Sequence, residues 1–274
     1  MSSLAERVRE LTWYHTIELP GGVVTPGQFD TRGAVRHVPL PADLSGMRVL
    51  EVGTWDGFWA FELERRGAAS VTAIDLDDAA RWDWPPRVRL AAEPHGGMQY
   101  LAAFRRGHAG FDLAREALGS TVERLDLSVY DLDPEVHGRF DLVFLGSLLL
   151  HLQDPVRALE RIRAVAGGPL VVSDAVELLP SLLHPRTPVA RLDGWDQPWW
   201  WQPNVAAFHR MLAAAGWHVV RRSRPYFIPV TRRESLPPWR AALRAVRSPQ
   251  GRESLVVRAL GVPHVAARAI PLAA

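Results

Sequence analysis

Apolar residues follow two rhythms along this chain. Short unbroken runs of Val, Leu, Ile and Phe end at Gly or Asp, while longer stretches repeat apolar residues every three or four positions. The first pattern reads as strands buried on both faces, the second as amphipathic helices. Strands are expected at about 48–53, 70–75 and 121–127, at Phe140–Leu145 and at Leu170–Asp174. Helices are expected at about 57–66, stopped by Gly67, at Phe111–Leu118, stopped by Gly119, and at Pro155–Ala166, with Asp154 as N-cap and Pro155 in the first position. Asn204 is placed to cap a helix running to Ala215 and ending at Gly216. Strands and helices in this alternation predict an α/β fold with a mostly parallel sheet and helices on both faces.

Elsewhere the pattern breaks. Residues 1–12 suit a short helix with Leu4, Val8 and Leu11 on one face, and the Gly- and Pro-rich stretch that follows to residue 46 suits a lid. Insertions are expected at 79–110, around Trp82, Trp84 and Gly96-Gly97, and at 176–202, which holds Trp195, Trp199, Trp200 and Trp201. Trp217–Arg222 and Pro225–Val230 read as a closing hairpin-like strand pair. The expected organisation is a lid over 1–46, a core over 47–230 and a partly helical extension over 231–274. That extension has eight Arg from Arg232 to Arg268, against Glu234 and Glu253.

Composition narrows the chemistry. Of 274 residues 47% are hydrophobic, enough for a sizeable core, yet no apolar run reaches membrane-spanning length. The first dozen residues lack a signal-peptide core, so a cytoplasmic location is the expectation. There is no Cys, which excludes thiol catalysis and Cys-based metal sites. All 32 basic residues are Arg, so no Schiff-base or phosphate-gripping lysine exists. A net charge of +2 is too small to argue for nucleic-acid binding by itself.

The turn Gly53-Thr54-Trp55-Asp56-Gly57 follows the first core strand, and Asp75 ends the second. Strand, Gly turn, helix, strand and acid form a nucleoside-binding arrangement. Glu51, two residues before Gly53, would repel a pyrophosphate but suits a cationic, amine-bearing ligand. That disfavours NAD and FAD and favours S-adenosylmethionine (SAM).

The turn resembles the first motif of class I SAM-dependent methyltransferases, with Trp55 at the middle Gly. Phe140-Asp141-Leu142-Val143, followed by Gly146-Ser147-Leu148-Leu149-Leu150-His151-Leu152 and Asp154-Pro155, resembles their fourth strand and the turn after it. The likeness spans about 45–230 and implies a Rossmann-like, seven-stranded sheet. With Trp13-Tyr14-His15, Thr25-Pro26-Gly27, Val129-Tyr130-Asp131 and Trp217, the chain is similar to the subfamily of tRNA wobble-uridine carboxymethyl- and methoxy-type methyltransferases, which includes uncharacterised small-molecule relatives. The tRNA enzymes hold carboxy-SAM with a Lys and a Tyr. This chain has no Lys, and Leu150 stands at the Tyr position, so ordinary SAM and methyl transfer are expected.

The resemblance implies roles by position. Gly53, Thr54 and Gly57 line the methionine end, with Glu51 reaching the amino group directly or through water. Asp75 takes the ribose hydroxyls, Leu76 packs on the adenine, and Ser128, Val129 and Tyr130 flank it. Gly146 and Ser147 close the sulfonium side, and Trp55 is either core or a wall beside SAM. His151 and His15 are the candidate bases, since imidazole titrates near neutrality, and Asp174, Asp193 and His184 are weaker ones. No spacing singles out a metal site. The expected activity is methylation of a small molecule, aromatic or sugar-bearing, as O-methylation in bacterial secondary metabolism. The alternatives are a tRNA-modifying enzyme, using the basic tail, and a SAM-binding protein without transferase activity.

Overall fold

The computed structural model describes residues 2–91, 108–195, 197–231 and 249–272. One sheet of eight strands organises them: β1 (Arg48–Val52), β2 (Ser70–Asp75), β3 (Glu123–Asp126), β4 (Leu142–Gly146), β5 (Leu170–Ala175), β6 (Trp217–Arg222), β7 (Tyr226–Ile228) and β8 (Val262–Pro271). Across the sheet the order is β6, β8, β5, β4, β1, β2, β3, with β7 following β6 along the same edge of β8. Strands β1 to β5 pair in parallel, and β8 runs antiparallel to β5, β6 and β7.

The apolar runs are explained by a core on each face. Leu50, Val52, Val143, Leu145 and Val172 point to one side, where Ala158, Leu159 and Ile162 of α4 (Pro155–Val165) and Phe208 and Leu212 of α6 (Val205–Ala214) cover them. Val49, Leu142, Phe144 and Val171 point to the other, under α2 (Phe58–Arg65) and α3 (Ala109–Leu118). Successive strand residues alternate faces, so a strand covered on both sides is apolar throughout. Further helices are α1 (Leu4–Arg9), α5 (Leu178–Leu183) and α7 (Pro249–Leu260), with short ones at Pro86–Ala91 and Pro134–His137. α1 is shorter than the 1–12 expected, and Ser3 and Glu6 form a capping box at its start.

Two expectations are corrected. Trp217–Arg222 and Pro225–Val230 do not form a hairpin: β6 and β7 both pair with β8 and not with each other. The tail is not wholly an extension outside the core, because residues 262–271 are a strand inside the sheet between β5 and β6. Most of the Arg-rich stretch, 232–248, lies outside the described residues, as do 92–107 of the first insertion. The second insertion holds α5 and an antiparallel pair, Ala190–Leu192 with Trp201–Pro203.

The N-terminal lid is a packed strap. Trp13 is buried and its indole N–H donates to the Val8 carbonyl at 2.9 Å. Backbone bonds join Gln28 to Trp13, Phe29 to Tyr14 and Thr16 to Phe29, and Asp30 N–H donates to the Pro229 carbonyl beyond β7. No helix among the described residues is long and apolar enough to cross a membrane.

Candidate active site

The parallel strands end together on one side of the sheet, and the loops leaving them enclose a cavity of about 1070 Å³. In open α/β sheets, ligands bind at such strand ends. The turn after β1 is held from β2: Asp75 accepts the Trp55 N–H on Oδ2 and the Leu76 N–H on Oδ1, both at 2.7 Å. Trp55 has φ +50°, a left-handed conformation that is uncommon outside Gly. The Asp75 bond anchors that backbone. The Trp55 ring lies 5.0 Å from Tyr14 and 5.2 Å from Trp82, which is 5.1 Å from Trp84, so an aromatic row walls the cavity.

The sequence-derived site residues divide in two. Gly53, Trp55, Asp75, Leu76, Ser128, Val129, Tyr130, Gly146, Ser147, His15 and His151 all line this one cavity. Glu51, Thr54 and Gly57 do not. Glu51 sits within the sheet between Ala73 and Phe144, 1% exposed. Thr54 is buried under the turn. At Gly57, with φ +92°, an added Cβ would overlap the rings of Phe61 and Phe111, so its glycine serves packing. Asp193 and His184 do not line the cavity, and buried Asp174 accepts the Leu149 and Ala175 amides. Of the Trp cluster, Trp199 and Trp201 line the cavity. Trp200 braces it by donating to the Asp83 carbonyl at 2.5 Å, and Trp195 is exposed beneath the Arg87 guanidinium.

Several lining residues escaped sequence reading. Asp83 accepts the Tyr130 hydroxyl at 2.8 Å and the Gln153 amide at 2.6 Å, tying the first insertion to the loops after β3 and β4. His264 comes from β8 and its Nε2 lies 3.0 Å from Ser147 Oγ. Its Nδ1 lies 3.0 Å from the Val262 carbonyl, so Nδ1 carries the proton and Ser147 donates to Nε2. The apolar stretch after Gly261 was the available signal for that strand.

Burial sets the electrostatics. It pushes the Glu51 carboxyl up to about 8 and Asp174 up to about 7, and raises Asp75. It lowers His151, and brings His209 and His264 down to about 4. Glu51 and Asp174 keep their protons in the folded state, so the stabilisation they contribute erodes as pH rises above the ordinary carboxylate range and is gone once it passes about 7–8. The depressed histidines resist protonation, so stability is also lost as pH falls below their ordinary 6.5. Above pH 6.5 the loss from the acids is no longer opposed by the histidines, so the ligand-free protein is expected to lose thermostability from pH 6.5 to 8. Glu51→Gln should flatten the alkaline side by roughly 2 kcal/mol between pH 6.5 and 8, which melting curves across that range would check.

The cavity fits a cationic nucleoside rather than a phosphate. Its lining acids include Asp75, Asp83 and Glu177, and the buried Glu51 carboxyl beneath the turn has an oxygen with no hydrogen-bond partner. Its lining arginines, Arg81 and Arg191, are paired with Asp126 and Glu177. A family model described as a methyltransferase domain matches residues 33–222. The chain belongs to the methyltransferase-domain family.

By its family model and sheet topology the chain carries a methyltransferase domain of the class I type. It is 28% identical over 183 residues to the tRNA U34 carboxymethyltransferase of Stutzerimonas stutzeri, covering 65% of this chain and 48% of that one. It is 34% identical over 113 residues to the magnesium-protoporphyrin O-methyltransferase of Rhodobacter capsulatus, covering 39% and 44%. The chain spans about half the length of the curated relatives it matches. Among solved structures, the N-terminal domain of EvdMO1 with S-adenosylhomocysteine bound superposes with a TM-score of 0.51 at 16% identity, covering 99% of this chain and 96% of that one. That likeness is one of fold.

Proposed function

We propose that this methyltransferase moves a methyl group from SAM to an oxygen of a small molecule with a flat, apolar body. One observation carries the reading. The cavity that begins at Gly53 and Asp75 continues without a break into a wall containing six tryptophans, Trp55, Trp59, Trp82, Trp84, Trp199 and Trp201. Aromatic walls bury large planar area. In this reading Asp75 holds the ribose, Ser128 to Tyr130 flank the adenine, and Gly146 and Ser147 face the transferred group. SAM, when bound, supplies an electrophilic methyl on a sulfonium. The protein contributes alignment and water exclusion, the larger part of the rate for an in-line displacement.

Labelled SAM offered with a panel of phenols and glycosides, and separately with tRNA, tests this. Label passing to the small molecules supports it. Label passing to tRNA alone overturns it in favour of the second reading, which the 28% identity to a tRNA-modifying relative favours. Asp75→Ala should weaken SAM binding by about 1–3 kcal/mol, the scale of a lost charged hydrogen-bond acceptor. Unchanged affinity by titration calorimetry would show that Asp75 does not hold the cofactor.

A further inference from the structure

We propose that His15 is the base that receives the proton of the methyl acceptor, and that Asp56, from the turn that also carries Gly53 and Trp55, is the residue that positions it. This rests on the methyltransferase reading above and adds to it the group that makes a hydroxyl reactive.

His15 comes from the strap and Asp56 from the turn after β1, yet the two are joined in the fold. Asp56 Oδ1 is hydrogen-bonded to His15 Nδ1, and Oδ2 accepts the backbone N–H groups of Tyr14 and His15, each at 2.8 Å. A carboxylate is an acceptor, so it places the imidazole proton on Nδ1 and the lone pair on Nε2. No hydrogen bond within the protein engages Nε2 among the described residues, and His15 lines the cavity. The ring is fixed on its other sides. It stacks on Phe58 at 5.6 Å and meets Tyr14 edge-on at 4.8 Å, while the backbone carbonyl of His15 accepts from Thr25 Oγ1 at 2.8 Å. A base oriented by a third group is the arrangement that acid–base catalysis requires.

Two other histidines line the cavity, and both are worse placed. His264 Nε2 is occupied by the Ser147 hydroxyl, and burial brings it down to about 4. His151 donates from Nδ1 to the Pro198 carbonyl at 2.6 Å, a neutral partner, and burial lowers its basicity. Only His15 has an anion behind it to offset the charge it gains. In the step, the acceptor O–H bond breaks and its proton goes to His15 Nε2. The oxygen pair forms the bond to the methyl carbon, and the carbon–sulfur pair returns to sulfur, leaving S-adenosylhomocysteine.

The experiment compares full-length protein with His15→Gln, Asp56→Asn and His151→Gln on phenol and 4-nitrophenol. SAM binding is measured in parallel. Phenol must lose its proton during reaction, whereas 4-nitrophenol is largely ionised already at pH 8. His15→Gln should lower turnover of phenol by roughly 10²–10⁴-fold and of 4-nitrophenol far less. Asp56→Asn should follow the same selectivity, and His151→Gln should not. Each variant should bind SAM like the parent. Equal losses on both phenols, the selective loss appearing in His151→Gln instead, or methylation confined to thiols and amines overturns the proposal. Without any acceptor, ¹⁵N NMR of the S-adenosylhomocysteine-bound protein should find the His15 proton on Nδ1, and a proton on Nε2 also overturns it. Failure of the parent to bind SAM is a separate result that removes the methyltransferase reading itself.

Discussion

A chain cut after Leu260 is expected not to fold. The cut removes β8, which pairs with β5 from Leu170 to Ala175 on one edge and with β6 and β7 on the other. Its Val265, Ala266, Ala267 and Ala269 are buried in the two cores, and Val265 and Ala267 contact the cluster that holds Phe208 and Trp217. Without β8, β6 and β7 have no partner in the main sheet and β5 exposes an edge inside an apolar core. Each lost backbone hydrogen bond costs about 1 kcal/mol, and orphaned buried groups cost more. Losing the ladders on both edges exceeds the roughly 5–15 kcal/mol by which a domain is stable. Circular dichroism and urea titration of the truncated and full chains would check it. A cooperative transition at the parent's midpoint would show that the strand is dispensable.

Gly27→Ala is expected to detach the strap and abolish turnover. An added Cβ would overlap the His15 carbonyl and the Thr16 nitrogen, which are backbone atoms and cannot rotate away. Making room would break the Gln28–Trp13, Phe29–Tyr14 and Thr16–Phe29 bonds, at about 1 kcal/mol each, and would pull His15 from Asp56. A loss of about 3 kcal/mol or more is expected in denaturant titration. Gly33→Ala is the control, since nothing lies within 4 Å of a Cβ there. If both variants melt with the parent, the strap packing described above is wrong.

Much of the fold was legible because strands β1, β4 and β5 are covered on both faces and so are largely apolar runs. β8 was not. Its Ala-Ala-Arg-Ala centre has little strand propensity of its own and follows a helical stretch; its partners, Leu170–Ala175 and Trp217–Arg222, lie far back in the chain. The turn after β1 was legible as a motif but not in its side-chain directions. Glu51, Thr54 and Gly57 occupy motif positions, yet strand alternation and packing turn them away from the cavity. Asp56 was passed over for a similar reason: what gives it meaning is His15, which no local pattern connects to it.

The place of β8 also dictates an order of assembly. Residues 48–175 can emerge from the ribosome and pair among themselves, but β5 must wait for a neighbour that is synthesised only after β6 and β7 have been made. Until residue 271 is free of the exit tunnel, the sheet has an open apolar edge in its interior, and the long-range pairing that closes it is of the slow kind. The free edge of β5 is therefore the last part of the sheet's interior to be covered during synthesis.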